Sequence, residues 1–250
     1  FVTSYRGQPR PEATQLVQVL VPQVMSLKPR FHVCMQQAMT ELRGADADAL
    51  NNNNNNNQGG GAVWGDDGEE EAKGMARLFA EIGEAYTDLI STGEPAVAGP
   101  VVDALLDVAS HPDDSICAMS FNFWHRLTMA LTIGIHPQSV GFNGGTTTRS
   151  SHPEDEHSPL PEEERRRRVA VFTPSYERLV ALIRGRVKFP PDFDSWHSEE
   201  KQDFKRGRVD IGDTLCDAAD VLGGDRVLPL LVEPLLELSR QVSSAGQQAF

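Results

Sequence analysis

The residue types that could do chemistry are most concentrated in one segment, SFNFWHRL, at residues 120–127. His125 has a side chain suited to a general base. No Ser, Cys or Asp stands at a recognisable catalytic spacing from it, so we predict a surface or helix-capping histidine instead. Phe123 and Leu127 recur at helical spacing with Trp124 beside them, which predicts that the aromatic rings fill a core between packed helices.

The residues that commonly bind metals or phosphates do not form binding motifs. The seven histidines include no HExxH, and His111, Cys117 and His125 do not match a compact ligand spacing. The glycine runs lack the phosphate-binding frames. Three cysteines stand far apart in the sequence, and we predict that all three are buried small apolar side chains rather than disulfide partners or zinc ligands: Cys34, Cys117 and Cys216. The sequence therefore predicts no catalytic residue, no metal and no cofactor.

A run of four arginines, residues 165–168, follows three glutamates at residues 162–164. Such a run can serve as a nuclear-localisation signal or a phosphate-binding patch. Here each glutamate precedes an arginine by four residues, the orientation that stabilises a helix, and the acids lie at the predicted helix N-terminus. We therefore predict a solvated helix start whose charges pair internally, as Glu162 with Arg166, Glu163 with Arg167 and Glu164 with Arg168.

Four acidic residues are candidates for partner binding. Asp103 and Asp107 lie four residues apart, opposite the apolar stripe of their predicted helix, and Glu233 and Glu237 repeat this spacing in the last predicted helix. If the second helices of successive repeats line one side of an array, these acids form a negative wall suited to partners rich in Arg or Lys. The alternative is that they are ordinary acids on the outward polar face that any such helix needs.

The elements that position these residues are predicted to be helices, because apolar residues recur at three- and four-residue steps. An aspartate in the turn at residues 111–114 is expected to cap the helix that contains SFNFWHRL. Pro174 is expected to kink or split its helix. No segment shows sustained strand alternation. The other predicted helices lie at about residues 12–27, 69–92, 100–110, 162–187, 198–222 and from 228 onward.

Two low-complexity stretches interrupt this pattern. Residues 44–68 contain seven consecutive asparagines and a glycine run, and residues 135–161 are rich in Gly, Ser, Thr and Pro, so we predict disordered insertions at both places. Without them the helices repeat with a period of about 40 residues, typical of HEAT and armadillo arrays. We predict an all-α, HEAT-repeat α-solenoid, a right-handed superhelical segment of about three repeats plus a leading helix.

We predict that residues 1–43 are the end of a preceding repeat, residues 44–68 the first insertion and residues 69–134 a first set of HEAT helices. Residues 135–161 are the second insertion, residues 162–244 a second set of HEAT helices and residues 245–250 a tail.

The amino-acid composition indicates which classes of partner this protein can be expected to bind. With 36 acidic and 23 basic residues among 250, the formal net charge is -13, which disfavours nucleic acid and favours basic partners. No apolar run is long enough to cross a membrane, and the N-terminus lacks a signal-peptide pattern, so a cytosolic or nuclear protein is expected. Since the chain opens on Phe1 rather than methionine, close to a predicted helix, we expect a piece of a longer protein.

Five helical segments together resemble the transportin-SR branch of the importin-β superfamily, most closely its plant and algal members. The most specific is HPDDSICAMSFNFWHRL, in which SFNFW follows an HP turn, and all five occur in the family's order. The segments are LVQVLVPQVMSLK (16–28), ARLFAEIGEAYTDLI (76–90), HPDDSICAMSFNFWHRL (111–127), DFKRGRVDIGDTLCDAADVLGGD (203–225) and the stretch from Tyr176 to Val187.

The resemblance implies a nuclear transport receptor built of HEAT repeats. Such receptors import serine/arginine-rich splicing factors and release them when the GTP-bound small GTPase Ran binds. For this chain it implies Ran-GTP, Arg/Ser-rich cargo and nucleoporins as partners, shuttling between nucleus and cytoplasm, and no enzymatic activity. No individual contact residue carries over. The alternative is a HEAT-repeat scaffold, such as the regulatory subunit of a phosphatase, without a Ran-dependent partner.

Overall fold

The computed structural model of the chain describes residues 11–51, 66–132, 160–190 and 192–247. These residues form helices joined by turns, with no strand among them, which confirms the all-α prediction. A 3₁₀-helix, Phe193–Ser195, precedes the ninth α-helix. In chain order the α-helices are α1 (Pro11–Met25), α2 (Lys28–Asn51), α3 (Asp66–Ala85), α4 (Thr87–Ser91), α5 (Pro95–Ser110), α6 (Asp114–Ala118), α7 (Phe121–Thr132), α8 (Glu162–Ile183), α9 (Ser198–Leu222) and α10 (Gly224–Gln247).

The helix predicted over residues 69–92 is present but divided into α3 and α4. At the junction, the hydroxyl of Thr87 donates hydrogen bonds to the carbonyl oxygens of Gly83 at 2.8 Å and Glu84 at 3.0 Å. α5 also begins earlier than predicted, at Pro95, because proline fits the first position of a helix, where no N–H partner is needed.

Of the two outcomes expected at Pro174, a kink or a split, the split does not occur, since α8 is one helix from Glu162 to Ile183. A proline at this position removes the N–H that would bond the carbonyl oxygen of Ala170. Both Pro174 and Ala170 are exposed, so water can bond that carbonyl instead. The proline is therefore accommodated on the solvent side of a continuous helix.

The sequence pattern did not predict α2. Its buried residues Phe31, Cys34 and Ala38 follow helical spacing, but the apolar side chains of Val33 and Leu42 are about half exposed and blur the stripe. The predicted insertions, 44–68 and 135–161, fall mostly on residues outside the described ranges, although α2 reaches Asn51 and α3 begins at Asp66. The repeat boundaries stay a prediction.

Contacts divide the chain into two compact units, Phe1–Ile90 with Glu94–Phe123 and Ser91–Gly93 with Trp124–Phe250. α5 is the central helix of the first unit, and α1 and α3 pack against it. Between Val97 and Ala109, its residues are buried except at three positions. A helix that is apolar on nearly all sides belongs in the middle of a core.

The turn between α5 and α6 confirms that an aspartate caps the next helix, but that helix is the short α6, which is separate from α7 and its residues FNFWHRL. The carboxylate of Asp113 accepts hydrogen bonds from the backbone N–H groups of Ser115 at 2.7 Å and Ile116 at 3.4 Å. Burial alone would raise the pKa of Asp113, but these bonds outweigh it and lower the pKa below its usual value. His111, also buried, accepts the Asp113 N–H at its Nδ1, 3.1 Å away.

Two aromatic residues of SFNFWHRL, Phe123 and Trp124, lie in cores as predicted, whereas Phe121 is only half-buried. Phe123 and Leu127 are fully buried, and so is Trp124. In the second unit the rings of Trp124 and Tyr176 meet edge to face, with centroids 5.3 Å apart. The Tyr176 hydroxyl bonds to the Thr128 hydroxyl at 2.8 Å and donates to the Trp124 carbonyl oxygen at 3.2 Å. Burial raises the pKa of Tyr176, so the phenol stays protonated and satisfied inside this core.

The cysteines follow the prediction at two positions of three. Cys34 and Cys117 are buried, and the Cys117 thiol lies 3.2 Å from the carbonyl oxygen of Ala109. Cys216 is exposed, so the prediction for it is wrong. The reason is its place on α9, whose buried residues include Thr214 and Ala218 on the other side of the helix.

We predict that Gly83→Ala destabilises the first unit. A Cβ at Gly83 would lie 2.7 Å from the Cδ1 atom of Leu105 and 2.7 Å from the Cδ2 atom of Phe123, both inside the core. Overpacking of this kind typically costs about 1–3 kcal/mol. The measurement is the free energy of unfolding in urea, followed by circular dichroism.

The matched control is Gly74→Ala in the same helix, because a Cβ at Gly74 has nothing within 4 Å. Replacing an unconstrained helical glycine by alanine should stabilise the chain by about 0.5–1 kcal/mol. Equal effects of the two substitutions would contradict the close packing of α3 on α5 and Phe123.

Candidate partner-binding surfaces

The predicted acid pair on α5 is engaged within the first unit. The Nζ atom of Lys28 lies 2.5 Å from a carboxylate oxygen of Asp103 and 3.0 Å from one of Asp107. His32 Nε2 lies 2.8 Å from the same Asp107 oxygen. Both basic residues belong to α2, the helix that the sequence pattern did not reveal. The acids therefore hold the start of α2 against α5.

Burial separates the roles of these two acids. Asp107 is only 8% exposed, so the expectation that it stands outward on an open acidic wall is wrong. Asp103 keeps about half of its side chain exposed, 54%, and stays a candidate for partner binding. Burial tends to lower the pKa of Lys28, but its hydrogen bonds to Asp103 and Asp107 outweigh this and raise the pKa. Lys28 thus remains charged at every physiological pH.

The second predicted acid pair lies on α10. Glu233 is exposed, as a partner-binding residue requires. Glu237 belongs to the same helix, but its side chain is outside the part that the structure describes. A role for these two residues therefore stays a prediction.

A third set of acids, on α9, was missed at the level of sequence. Asp210, Asp213 and Asp220 are exposed and Asp217 is half-buried. Their spacings of three, four and three residues place them on one face of the helix. The same spacing of aspartates is visible in the sequence DIGDTLCDAAD, residues 210–220. Acids on a helix face are common, however, and the spacing alone does not indicate a ligand.

His125 bonds to this acidic face within the second unit. Its Nδ1 atom lies 3.1 and 3.2 Å from the two carboxylate oxygens of Asp217. Burial raises the pKa of Asp217, the hydrogen bond and charge of His125 offset this in part, and the neighbouring carboxylates of Asp220 and Asp213 raise it further. The predicted surface histidine is confirmed, and its partner is a carboxylate on α9.

The arginine run pairs internally, with one difference from the prediction. Glu162 binds Arg166 at 2.8 Å and Glu164 binds Arg168 at 2.8 Å, as predicted. Arg167 instead pairs with Glu164, also at 2.8 Å, rather than with Glu163. Hydrogen bonds from Arg167 and Arg168 lower the pKa of Glu164 to about 2.

Two of the arginines also anchor the end of α4 and the residue that follows it, so the run is not simply solvated. Arg167 donates to the carbonyl oxygen of Thr92 at 2.7 Å, and Arg168 donates to the Ser91 hydroxyl at 3.2 Å. The side chain of Arg168 is only 11% exposed. Pairing and anchoring together leave Arg167 and Arg168 little capacity to bind a separate ligand.

Among the residues that the structure describes, no group of three or more His, Cys, Asp and Glu side chains could hold a metal ion. None of the helices formed by the described residues combines the length and the apolar character that crossing a bilayer requires.

We predict that Lys28→Met destabilises the first unit by about 1–3 kcal/mol, because it leaves the mostly buried carboxylate of Asp107 without its cation. The free energy of unfolding in urea measures the effect. The control is Arg206→Met, since Arg206 pairs with Asp203 at 3.4 Å with both side chains more than 70% exposed (74% and 71%). An exposed pair of this type contributes about 0–1 kcal/mol. If the two substitutions lower the free energy of unfolding by the same amount, the contacts of Lys28 with Asp103 and Asp107 do not hold α2 in place.

Comparison with known proteins gives a relative that aligns along almost the whole chain. Transportin MOS14 of Arabidopsis thaliana is 35% identical over 236 residues, which cover 94% of this chain and 20% of that protein. Importin-13 of Homo sapiens and of Gallus gallus are each 39% identical over 57 residues, 22% of this chain and 6% of theirs. The chain thus spans a fifth or less of the length of these relatives.

A family model agrees with these relatives. The model described as the second TPR domain of transportin-3 and importin-13 matches residues 67–139. TPR and HEAT repeats are both helix pairs that stack into α-solenoids, so the match and the observed helices confirm the predicted α-solenoid class. The chain belongs to the transportin type of the importin-β superfamily, a family of nuclear transport receptors.

Proposed function

We propose that this chain is part of a nuclear import receptor that carries Arg/Ser-rich proteins into the nucleus and releases them when Ran-GTP binds. The observation that carries the proposal is the 35% identity to Transportin MOS14 along 94% of the chain. On this proposal the receptor shuttles between cytoplasm and nucleus, contacts nucleoporins on the way, and acts by binding rather than by catalysis.

The distribution of charge supports a basic cargo. The chain has a formal net charge of -13, and long-range attraction between opposite charges speeds the encounter with an Arg-rich partner. Asp103 and Glu233 keep exposed carboxylates after folding. Each contact at such a surface is weak because water and salt screen it, so affinity would come from many contacts along the repeats.

The Ran dependence is tested on the complete protein. We expect it to retain Ran loaded with GTP, but not Ran loaded with GDP, in a pull-down, and to lose a bound Arg/Ser-rich peptide when Ran-GTP is added. The physical reason is that coupling between two ligands is reciprocal: if Ran-GTP weakens the affinity for the peptide by some factor, the peptide weakens the affinity for Ran-GTP by the same factor. Binding of the peptide without any effect of Ran-GTP would favour a scaffold instead.

The acidic candidates are tested by neutralisation. We expect the combined variant Asp103→Asn, Glu233→Gln and Glu237→Gln to weaken binding of an Arg/Ser-rich peptide about three- to tenfold at low salt, because three attractive charges are lost. Fluorescence anisotropy on the 250-residue chain measures the affinity.

The control carries the same change in charge at a different place, in the combined variant Asp194→Asn, Glu199→Gln and Asp203→Asn, all three of which replace exposed acids. A similar loss in both variants indicates that only the net charge matters. That result would exclude Asp103, Glu233 and Glu237 as a defined contact surface.

A further inference from the structure

The second unit contains a cavity of about 370 Å³ that the functions above do not use. Side chains of α8 and α9 line it, together with Thr132 at the end of α7 and Arg226 near the start of α10. Its volume lies at the lower end of the range for ligand pockets, about 300–1,000 Å³. A cavity of this size accommodates one or two side chains of a bound peptide.

The cavity is lined by positive charge in a negatively charged chain. Arg165, Arg166 and Arg226 line it, and Asp220 is the single acid among its lining residues. Arginine presents a planar fork of donors that matches a carboxylate or phosphate group. Three such groups around one cavity therefore point to an anionic ligand.

Carboxylates outside the lining hold these arginines in position. Glu162 bonds to the Nε atoms of both Arg165, at 2.9 Å, and Arg166, at 2.8 Å. Arg226 lies 3.3 Å from Glu177 through its Nη1 atom. A guanidinium group has five N–H donors, and these bonds use only some of them. The forks are therefore oriented in advance and retain donors for a ligand, which lowers the entropic cost of binding.

The cavity also offers acceptors and an apolar surface. The hydroxyl groups of Thr132 and Thr173 donate to backbone carbonyl oxygens at 2.7 and 2.9 Å, so they can face a ligand only as acceptors. Asp220 is a further acceptor, and Val169 and Val221 supply apolar lining. A ligand that suits this lining combines an anion, N–H donors and an apolar group, which is the chemistry of a peptide rather than of a free inorganic anion.

We propose that this cavity binds an acidic peptide segment, whose carboxylates pair with Arg165, Arg166 and Arg226 and whose neighbouring apolar side chain rests on Val169. Carboxylates suit the site better than a dianion, because Glu162 and Glu177 already neutralise part of the positive charge. The side chains of Arg166 and Arg226 are 77% and 59% exposed, so a peptide can reach the arginines from solvent. The site is independent of the proposed Ran-dependent transport, and each can fail without the other.

The test uses the 250-residue chain and a fluorescein-labelled peptide of alternating Glu and Leu, with a Gln-for-Glu peptide as its matched partner. Anisotropy at about 50 mM salt keeps electrostatic contacts measurable. We expect the acidic peptide to bind and the Gln peptide not to bind. The double variant Arg166→Gln, Arg226→Gln should lose about tenfold or more in affinity, as expected for two charge-assisted bonds.

The matched control is Arg206→Gln, which removes an exposed, acid-paired arginine that does not line the cavity; its affinity should change less than about twofold. Far-UV circular dichroism checks the helix content of each variant. If the double variant does not fold, the single variants Arg166→Gln and Arg226→Gln serve for the same comparison.

Three results would overturn the proposal. The first is that the acidic peptide does not bind at about 1 mM, which means a free energy of binding weaker than about -4 kcal/mol. The second is an equal loss of affinity in Arg206→Gln and in the cavity variants. The third is preference for another anion, seen when inorganic phosphate binds as tightly as the peptide or when a phosphoserine peptide binds and the acidic peptide does not.

Discussion

The first unit depends on covering the apolar surface of α5. A helix that carries apolar residues on nearly every side cannot face water, and burying a large aliphatic side chain gains about 1.5–3 kcal/mol. Neighbouring helices must therefore surround α5, and α1 and α3 do so. The close approach at Gly83, where a Cβ would lie 2.7 Å from core side chains, is a direct consequence. A protein built of stacked helix pairs depends on this covering of apolar faces.

The second unit depends on a different interaction, the hydrogen bonding of a polar group inside an apolar core. Tyr176 is fully buried, and a buried hydroxyl without partners would cost free energy. Its bonds to Thr128 and to the Trp124 carbonyl oxygen remove that cost. The conspicuous aromatic segment SFNFWHRL thus contributes Trp124 to the packed core around Tyr176. Its histidine lies outside that core and bonds to Asp217.

Ion pairs determine which charges remain for partners. Lys28 pairs with Asp107 and with the half-exposed Asp103. Arg167 and Arg168 bond to Thr92 and Ser91 at the end of α4. Exposed carboxylates on α9 and α10 remain, with a cavity lined by arginines in the same unit. One chain can present both signs of charge to its partners, since specificity at a binding surface comes from the complementary placement of charges rather than from net charge.

The sequence by itself determined most of the helices, though not α2, together with the core aromatics Phe123 and Trp124 and the family, because helical periodicity and turn residues are local properties that the order of residues encodes directly. It also indicated that Glu162 and Glu164 pair with nearby arginines, which are neighbours on one helix. It could not determine that Asp107 is buried beneath Lys28 and His32, because those residues lie 75 or more positions away on a helix whose apolar stripe is indistinct. The exposure of Cys216, the close approach at Gly83 and the cavity that brings Arg226 beside Arg165 were likewise decided only by tertiary structure. Each depends on which faces of distant helices meet, and spacing along the chain does not specify that.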